Sequence, residues 1–106
     1  MKAEETIISV PDVATTAIVD RFSIIGKNCV VKPSAKIINS VIGEGVHIEE
    51  KAVIENSVIW SHTRISTAAH ISNSIVGRSC HIGRNVAVRS GAVLGDKTSL
   101  TDYTKV

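Results

Sequence analysis

The sequence predicts an all-β solenoid, a chain wound into about five triangular coils of 17–18 residues around an aliphatic core. Three observations carry that reading. One short motif occurs three times, as Ile37-Ile38-Asn39-Ser40-Val41-Ile42, Ile54-Glu55-Asn56-Ser57-Val58-Ile59 and Ile71-Ser72-Asn73-Ser74-Ile75-Val76, with first residues 17 apart. A fixed period of about this size marks an architecture in which each repeat stacks on the last. Around the motif runs a six-residue beat, an aliphatic residue followed four places later by a small one. Helical periodicity never survives more than one turn, whereas β-branched residues dominate.

Residues 1–12 fit the repeat poorly and read as an entry and capping segment. Pro11 and Asp12 mark a turn, and Ile7, Ile8 and Val10 are expected to cover the open end of the first coil. Residues 13–106 read as the solenoid. The beat begins with Val13/Ala17, Val19/Ser23, Ile25/Cys29 and Val31/Ala35, then shortens to five residues at Ile37. It resumes with Ile42/Val46 and Ile48/Ala52, shortens at Ile54, resumes with Ile59/Thr63 and Ile65/Ala69, and shortens at Ile71. Val76/Cys80, Ile82/Val86, Val88/Ala92, Leu94/Thr98 and Leu100/Thr104 complete it. Two beats of six and one of five make 17, and Val88 reads as the one departure, lengthening its coil to 18.

Physically this is a triangular prism. Each beat supplies a short strand and a turn, and successive coils pair in parallel about 4.8 Å apart, giving a height on the order of 25 Å. Large aliphatics fill the interior and small residues fit where the backbone bends. Gly45, Gly91, Asn28 and Asn85 stand where left-handed backbone angles are expected. Asn39, Asn56 and Asn73, followed by Ser90, read as an inner-turn column whose amides bond from coil to coil.

Composition agrees. Aromatic residues make up 3% of the chain, so the interior is narrow and regular. A net charge of +2 does not argue for nucleic acid. No apolar run approaches the roughly 18 residues of a membrane span, and the Met-Lys-Ala-Glu-Glu start lacks a signal-peptide hydrophobic region. Two cysteines do not make a disulfide framework, and a cytoplasmic location is expected.

Stacking turns sequence into columns. Ile24, Val41, Val58, Ile75 and Val93 each precede an inward aliphatic, so strand alternation points them outward as an apolar stripe. Such a stripe either stabilises the parallel ladder or packs against another copy or domain. Beside it a second column reads Gly26, Gly43, Trp60, Gly77, Gly95, where the glycines leave room for the indole. Trp60 is read as an interface anchor, with a ligand platform or coverage of bare backbone as alternatives.

Reactive chemistry is sparse. His47 and His81 share a column with Arg64 between them, two coils and roughly 10 Å apart, too far for one metal ion at about 2 Å per ligand. Cys29 and Cys80 share an inward turn column three coils apart, which forbids a bridge. No phosphate loop, carboxylate pair or nucleophile elbow occurs. From Asn56 to Gly95 there is no Asp, Glu or Lys, yet Arg64, Arg78, Arg84 and Arg89 all lie there. That block is either solvated surface or a site for an anionic effector. No catalytic residue, metal or cofactor is expected.

The hexapeptide beat resembles the left-handed parallel β-helix family, and the handedness comes from that resemblance, since the general crossover rule favours the opposite hand. Asn56-Ser57-Val58-Ile59-Trp60, Asn73-Ser74-Ile75-Val76-Gly77 and Gly91-Ala92-Val93-Leu94-Gly95-Asp96-Lys97 resemble the C-terminal β-helix of sugar-nucleotide pyrophosphorylases. Examples are mannose-1-phosphate guanylyltransferase and glucose-1-phosphate adenylyltransferase. The resemblance covers nearly all of residues 13–106. Those enzymes carry catalysis in a Rossmann-like domain that has no counterpart here, so no catalytic residue transfers. The resemblance implies a non-catalytic assembly or regulatory module that forms homo-oligomers, packs on a nucleotidyltransferase catalytic domain, or both, with no nucleic-acid or membrane partner. The rival is a stand-alone hexapeptide-repeat enzyme, an acyltransferase or one resembling the hexapeptide-repeat carbonic anhydrases, with a trimer-seam site built from His47, His62 or His81. Against it stand the absence of a His-x4-His pair, of any inserted loop between Val13 and Val106, and of a C-terminal helix.

Overall fold

Aliphatic residues spaced by six, six and five cannot share one face of a helix, but they can share the inside of a three-sided coil. The structure, a computed structural model, describes residues 12–106 and follows that rule throughout. Every strand is two or three residues long and every pairing is parallel. The first sheet stacks β1 (Asp12–Val13), β4 (Val30–Val31), β7 (His47–Ile48), β10 (Arg64–Ile65), β13 (His81–Ile82) and β16 (Ser99–Leu100). The second stacks β2 (Ile18–Val19), β5 (Lys36–Ile38), β8 (Val53–Glu55), β11 (His70–Ser72) and β14 (Ala87–Val88). The third stacks β3 (Ile24–Ile25), β6 (Val41–Ile42), β9 (Val58–Ile59), β12 (Ile75–Val76) and β15 (Val93–Leu94). Consecutive strands thus fall on successive sides of a prism of about five turns, the arrangement expected of a β-helix.

The expected inward residues are the core. Ile37, Ile42, Ile48, Ile54, Ile59, Ile65, Ile71 and Ile82 are fully buried, and Ala35, Ala52 and Ala69 fill one corner beside them. Val13, expected to point inward, is instead 38% exposed at the open end of the stack, and Val19, Ile25, Leu94 and Leu100 are only partly covered. From Asn28 onward each bend uses one residue with a left-handed backbone. Gly45, Gly91, Asn28 and Asn85 all do so, at φ +68°, +84°, +61° and +56°.

Three details differ from the sequence expectation. Asp12, expected in a turn, pairs with Val30 in the first sheet; Ile7, Ile8, Val10 and Pro11 lie outside the described residues. The 18-residue coil at Val88 has a counterpart, because Val19 also takes six residues and sets Ile18 opposite Lys36. The third difference concerns the short beats. Asn39, Asn56 and Asn73 adopt φ near +49° and are exposed, so they are an outer column. The next residue turns inward instead: Ser40, Ser57 and Ser74 are buried. Losing one residue from the bend moves the small inward residue from four places after the aliphatic to three.

The buried serines form their own ladder. The Ser40 N–H donates to Ser23 Oγ (3.0 Å), Ser57 N–H to Ser40 Oγ (3.1 Å) and Ser74 N–H to Ser57 Oγ (3.1 Å). Each hydroxyl of Ser40, Ser57 and Ser74 donates in turn to the carbonyl two residues earlier. The outer amides bond at two steps, Asn39 Nδ2 to Asn56 Oδ1 (2.8 Å) and Asn73 Nδ2 to Ser90 Oγ (3.1 Å).

Candidate interaction face

The third sheet presents its inner residues to the core and its outer ones to solvent, and the register stacks the outer ones without a break. Ile24 lies opposite Val41, Val41 opposite Val58, Val58 opposite Ile75, and Ile75 opposite Val93. Ile24 is 64% exposed, Val41 and Ile75 43%, and Val93 71%, while Val58 at the centre is half-buried. The strands end on Gly26, Gly43, Trp60, Gly77 and Gly95, and Trp60 is 47% exposed. These ten outer positions include no charged side chain. By contrast the first sheet aligns His47, Arg64 and His81 on its outer face, and the second carries Lys36, Glu55 and His70.

The glycines have a steric reason in three of the coils. A Cβ at Gly26 would come within 2.8 Å of the Gly43 carbonyl carbon, one at Gly43 within 2.9 Å of the Ser61 nitrogen, and one at Gly77 within 2.7 Å of the Asp96 nitrogen. Trp60 therefore stands as a single projection in a file of side-chain-free backbone. The Arg78 guanidinium lies 5.8 Å from the centroid of its ring, a cation–π contact that adjacency in sequence does not reveal. Phe22, 67% exposed beside Arg21, sits in the turn leading into Ile24, a position between the beat's aliphatic and small residues where the repeat fixes no residue type.

The arginine block is dispersed by the coil. Arg64 is on the first sheet, Arg78 in the turn before β13, Arg84 in the turn after it, and Arg89 just past β14. Arg64 pairs with Glu49 at 3.3 Å, and Arg84 donates to Asp102 Oδ2 from Nη2 (2.7 Å) and Nε (3.1 Å). That pairing holds the Asp102 carboxyl below, and the Arg84 guanidinium above, their ordinary ranges.

His70 contacts Glu55 at 3.0 Å, and His62 packs over the Gly45 backbone, on a different side of the prism from His70. Among the described residues no group of three or more His, Cys, Asp and Glu side chains is placed to hold a metal ion. Cys29 and Cys80 are buried and unbridged, donating to the carbonyls of Gly43 (2.9 Å) and Gly95 (3.1 Å). Burial pushes the Cys29 thiol up from its usual range. No helix among the described residues is long and apolar enough to cross a membrane.

Residues 8–106 match the family described as the EIF2B subunit epsilon LbH domain, LbH denoting the left-handed β-helix. The chain belongs to that family. Among solved structures, this LbH domain is similar to the acetyltransferase domain of PglB from Neisseria gonorrhoeae, with TM-score 0.90 and 24% identity over 92% of this chain and 49% of that one. It is also similar to the GDP-perosamine N-acetyltransferase of Caulobacter crescentus, with TM-score 0.84 and 21% identity over 98% of this chain and 51% of that one. The LbH domain spans about half the length of these structures, and at such identities the likeness is one of fold. No curated protein matches it by sequence.

Proposed function

We propose that this LbH domain is a non-catalytic assembly module, the β-helix of a sugar-1-phosphate nucleotidyltransferase, and that its third sheet docks it onto another copy or onto the catalytic domain. The observation that carries the reading is the uncharged outer face of that sheet, where Ile24, Val41, Val58, Ile75 and Val93 run in register beside Trp60. Burying exposed aliphatic surface is favourable by roughly 25 cal/mol per Å², and a continuous patch of this kind is characteristic of surfaces that meet a partner. Membership in a family described as a domain of a subunit supports the same reading. The resemblance of the repeat motifs to the β-helix of sugar-nucleotide pyrophosphorylases supports the nucleotidyltransferase setting.

The test has two arms. The purified chain forms no sugar nucleotide from a nucleoside triphosphate and a sugar 1-phosphate, and Val58→Lys abolishes association with itself or with a separately expressed nucleotidyltransferase catalytic domain. Turnover by the wild-type chain, or unchanged association in the variant, rejects the proposal. The rival, an acyltransferase with a seam site, draws on the exposed file His47, Arg64, His81. It requires acyl-CoA turnover that falls when His47 or His81 is replaced.

A further inference from the structure

The outer face of the third sheet carries both a projection and the recess that fits it. Trp60 projects from the third of five stacked strands. On the lower-numbered side, Gly43 and Gly26 are partly exposed and carry no side chain. On the other side, Gly77 is buried, with Asp96 Oδ1 2.6 Å from where its Cβ would stand. The open recess is therefore next to Trp60 on one side only. A partner that fits must present a recess to Trp60 and a bulky apolar group to Gly43. A second copy of this chain, turned over, presents both.

The geometry points to an isologous, antiparallel dimer in which the Trp60 indole of each copy lies on Gly43 of the other. This rests on the assembly reading above and names its partner. In a two-fold interface a contact from one residue to another is repeated in reverse, so the axis passes midway between β6 and β9. Strands β3, β6, β9 and β12 of one copy then face β12, β9, β6 and β3 of the other, and β15 extends beyond the overlap. A parallel arrangement would instead bring the indole to the height of the partner's own third coil, occupied by Val58. Three further features favour a second copy. The strip's own strand positions carry no charge, Arg78 reaching the Trp60 ring from the adjoining turn, whereas the outer strand positions of the other two sheets do carry charge. Every outer residue of the overlapping file, Ile24, Val41, Val58 and Ile75, is β-branched, so reversing the file still sets like against like. Finally, these exposed side chains and Trp60 offer roughly 500 Å² of apolar surface per copy, which for two copies reaches the lower limit of about 1,000 Å² for a specific interface. The dimer is accordingly reversible and forms as concentration rises.

Trp60 is the only tryptophan, so its fluorescence reports on the interface alone. With the full chain, a concentration series is expected to convert monomer to dimer by sedimentation, with a blue shift of Trp60 emission following the same curve. Trp60→Gly keeps the β circular-dichroism spectrum and raises the dissociation constant about tenfold or more. A nitroxide at Val93→Cys, outside the overlap and in a chain whose native thiols are buried, measures orientation. The two labels sit five coil spacings apart along the prism, so roughly 25 Å is expected; a parallel pair gives about 10 Å. A monomer at millimolar concentration, a trimer, a label distance near 10 Å, or a dimer whose Trp60 emission does not move overturns the inference. A monomer that still binds a catalytic domain and loses it on Val58→Lys overturns only the choice of partner and leaves the assembly reading in place.

Discussion

Replacing Ser57 by alanine separates the inner ladder from the outer one. The Ser57 hydroxyl is buried, accepts the Ser74 N–H at 3.1 Å and donates to the Glu55 carbonyl at 2.7 Å. Alanine fits the space but leaves a buried N–H with no acceptor, a loss of about 1–3 kcal/mol. For a domain of about this size each kcal/mol moves the melting temperature by roughly 4–8 °C, so Ser57→Ala is expected to lower it by about 5–20 °C. The neighbouring change, Asn56→Gly, removes one exposed amide bond to Asn39 but retains the left-handed backbone at φ +49°. It is expected to cost less than about 1 kcal/mol. Thermal denaturation of the two variants side by side decides the matter. If Asn56→Gly melts as low as Ser57→Ala, the coil-to-coil bonding that matters is outside the prism and the account of the bend is wrong.

Further expectations follow from the same structure. Ile59→Ala, at a fully buried position in the central coil, should destabilise by about 2–5 kcal/mol in urea unfolding. Asp102, ion-paired with Arg84, and Asp20, which accepts from Ser23 Oγ and the Asn39 N–H, both titrate below the usual aspartate range. A depressed carboxyl adds stability above its unfolded value of about 4, and that stability is lost as pH falls through the lower folded value. Carbon-13 titration of both carboxyls should therefore show them charged where a free aspartate is half protonated. Cys29, buried with its thiol raised, should resist alkylation in the native chain and react on unfolding.

Much of the fold was legible because its determinant is a spacing. Aliphatics at six, six and five residues identify the core, and strand alternation points Val41, Val58 and Ile75 outward. The resemblance to the sugar-nucleotide pyrophosphorylases reached the β-helix and no further; the family that matches is the EIF2B epsilon LbH domain. Asn39, Asn56 and Asn73 were set inside because the small residue of the six-residue beat was carried into the five-residue one. A shorter bend needs its left-handed residue one place earlier, and asparagine accepts that conformation. Ser23 held the signal for the correct register, since it stacks beneath Ser40 and Ser57. The arginines illustrate the opposite limit. Nearness in sequence fixes which coil a residue belongs to, but six residues carry it to another side of the prism, and the ion pairs are made to Glu49 and Asp102, residues outside the block.

The central claim is that the third sheet's outer strip is a docking face, and Val58 lies at its midpoint, half-buried between Val41 and Ile75. Sedimentation velocity over a concentration series, for wild type and Val58→Lys, tests it most directly. The account predicts a wild-type chain that associates reversibly and a folded variant that sediments as a monomer at every concentration. Identical profiles for the two proteins would contradict it.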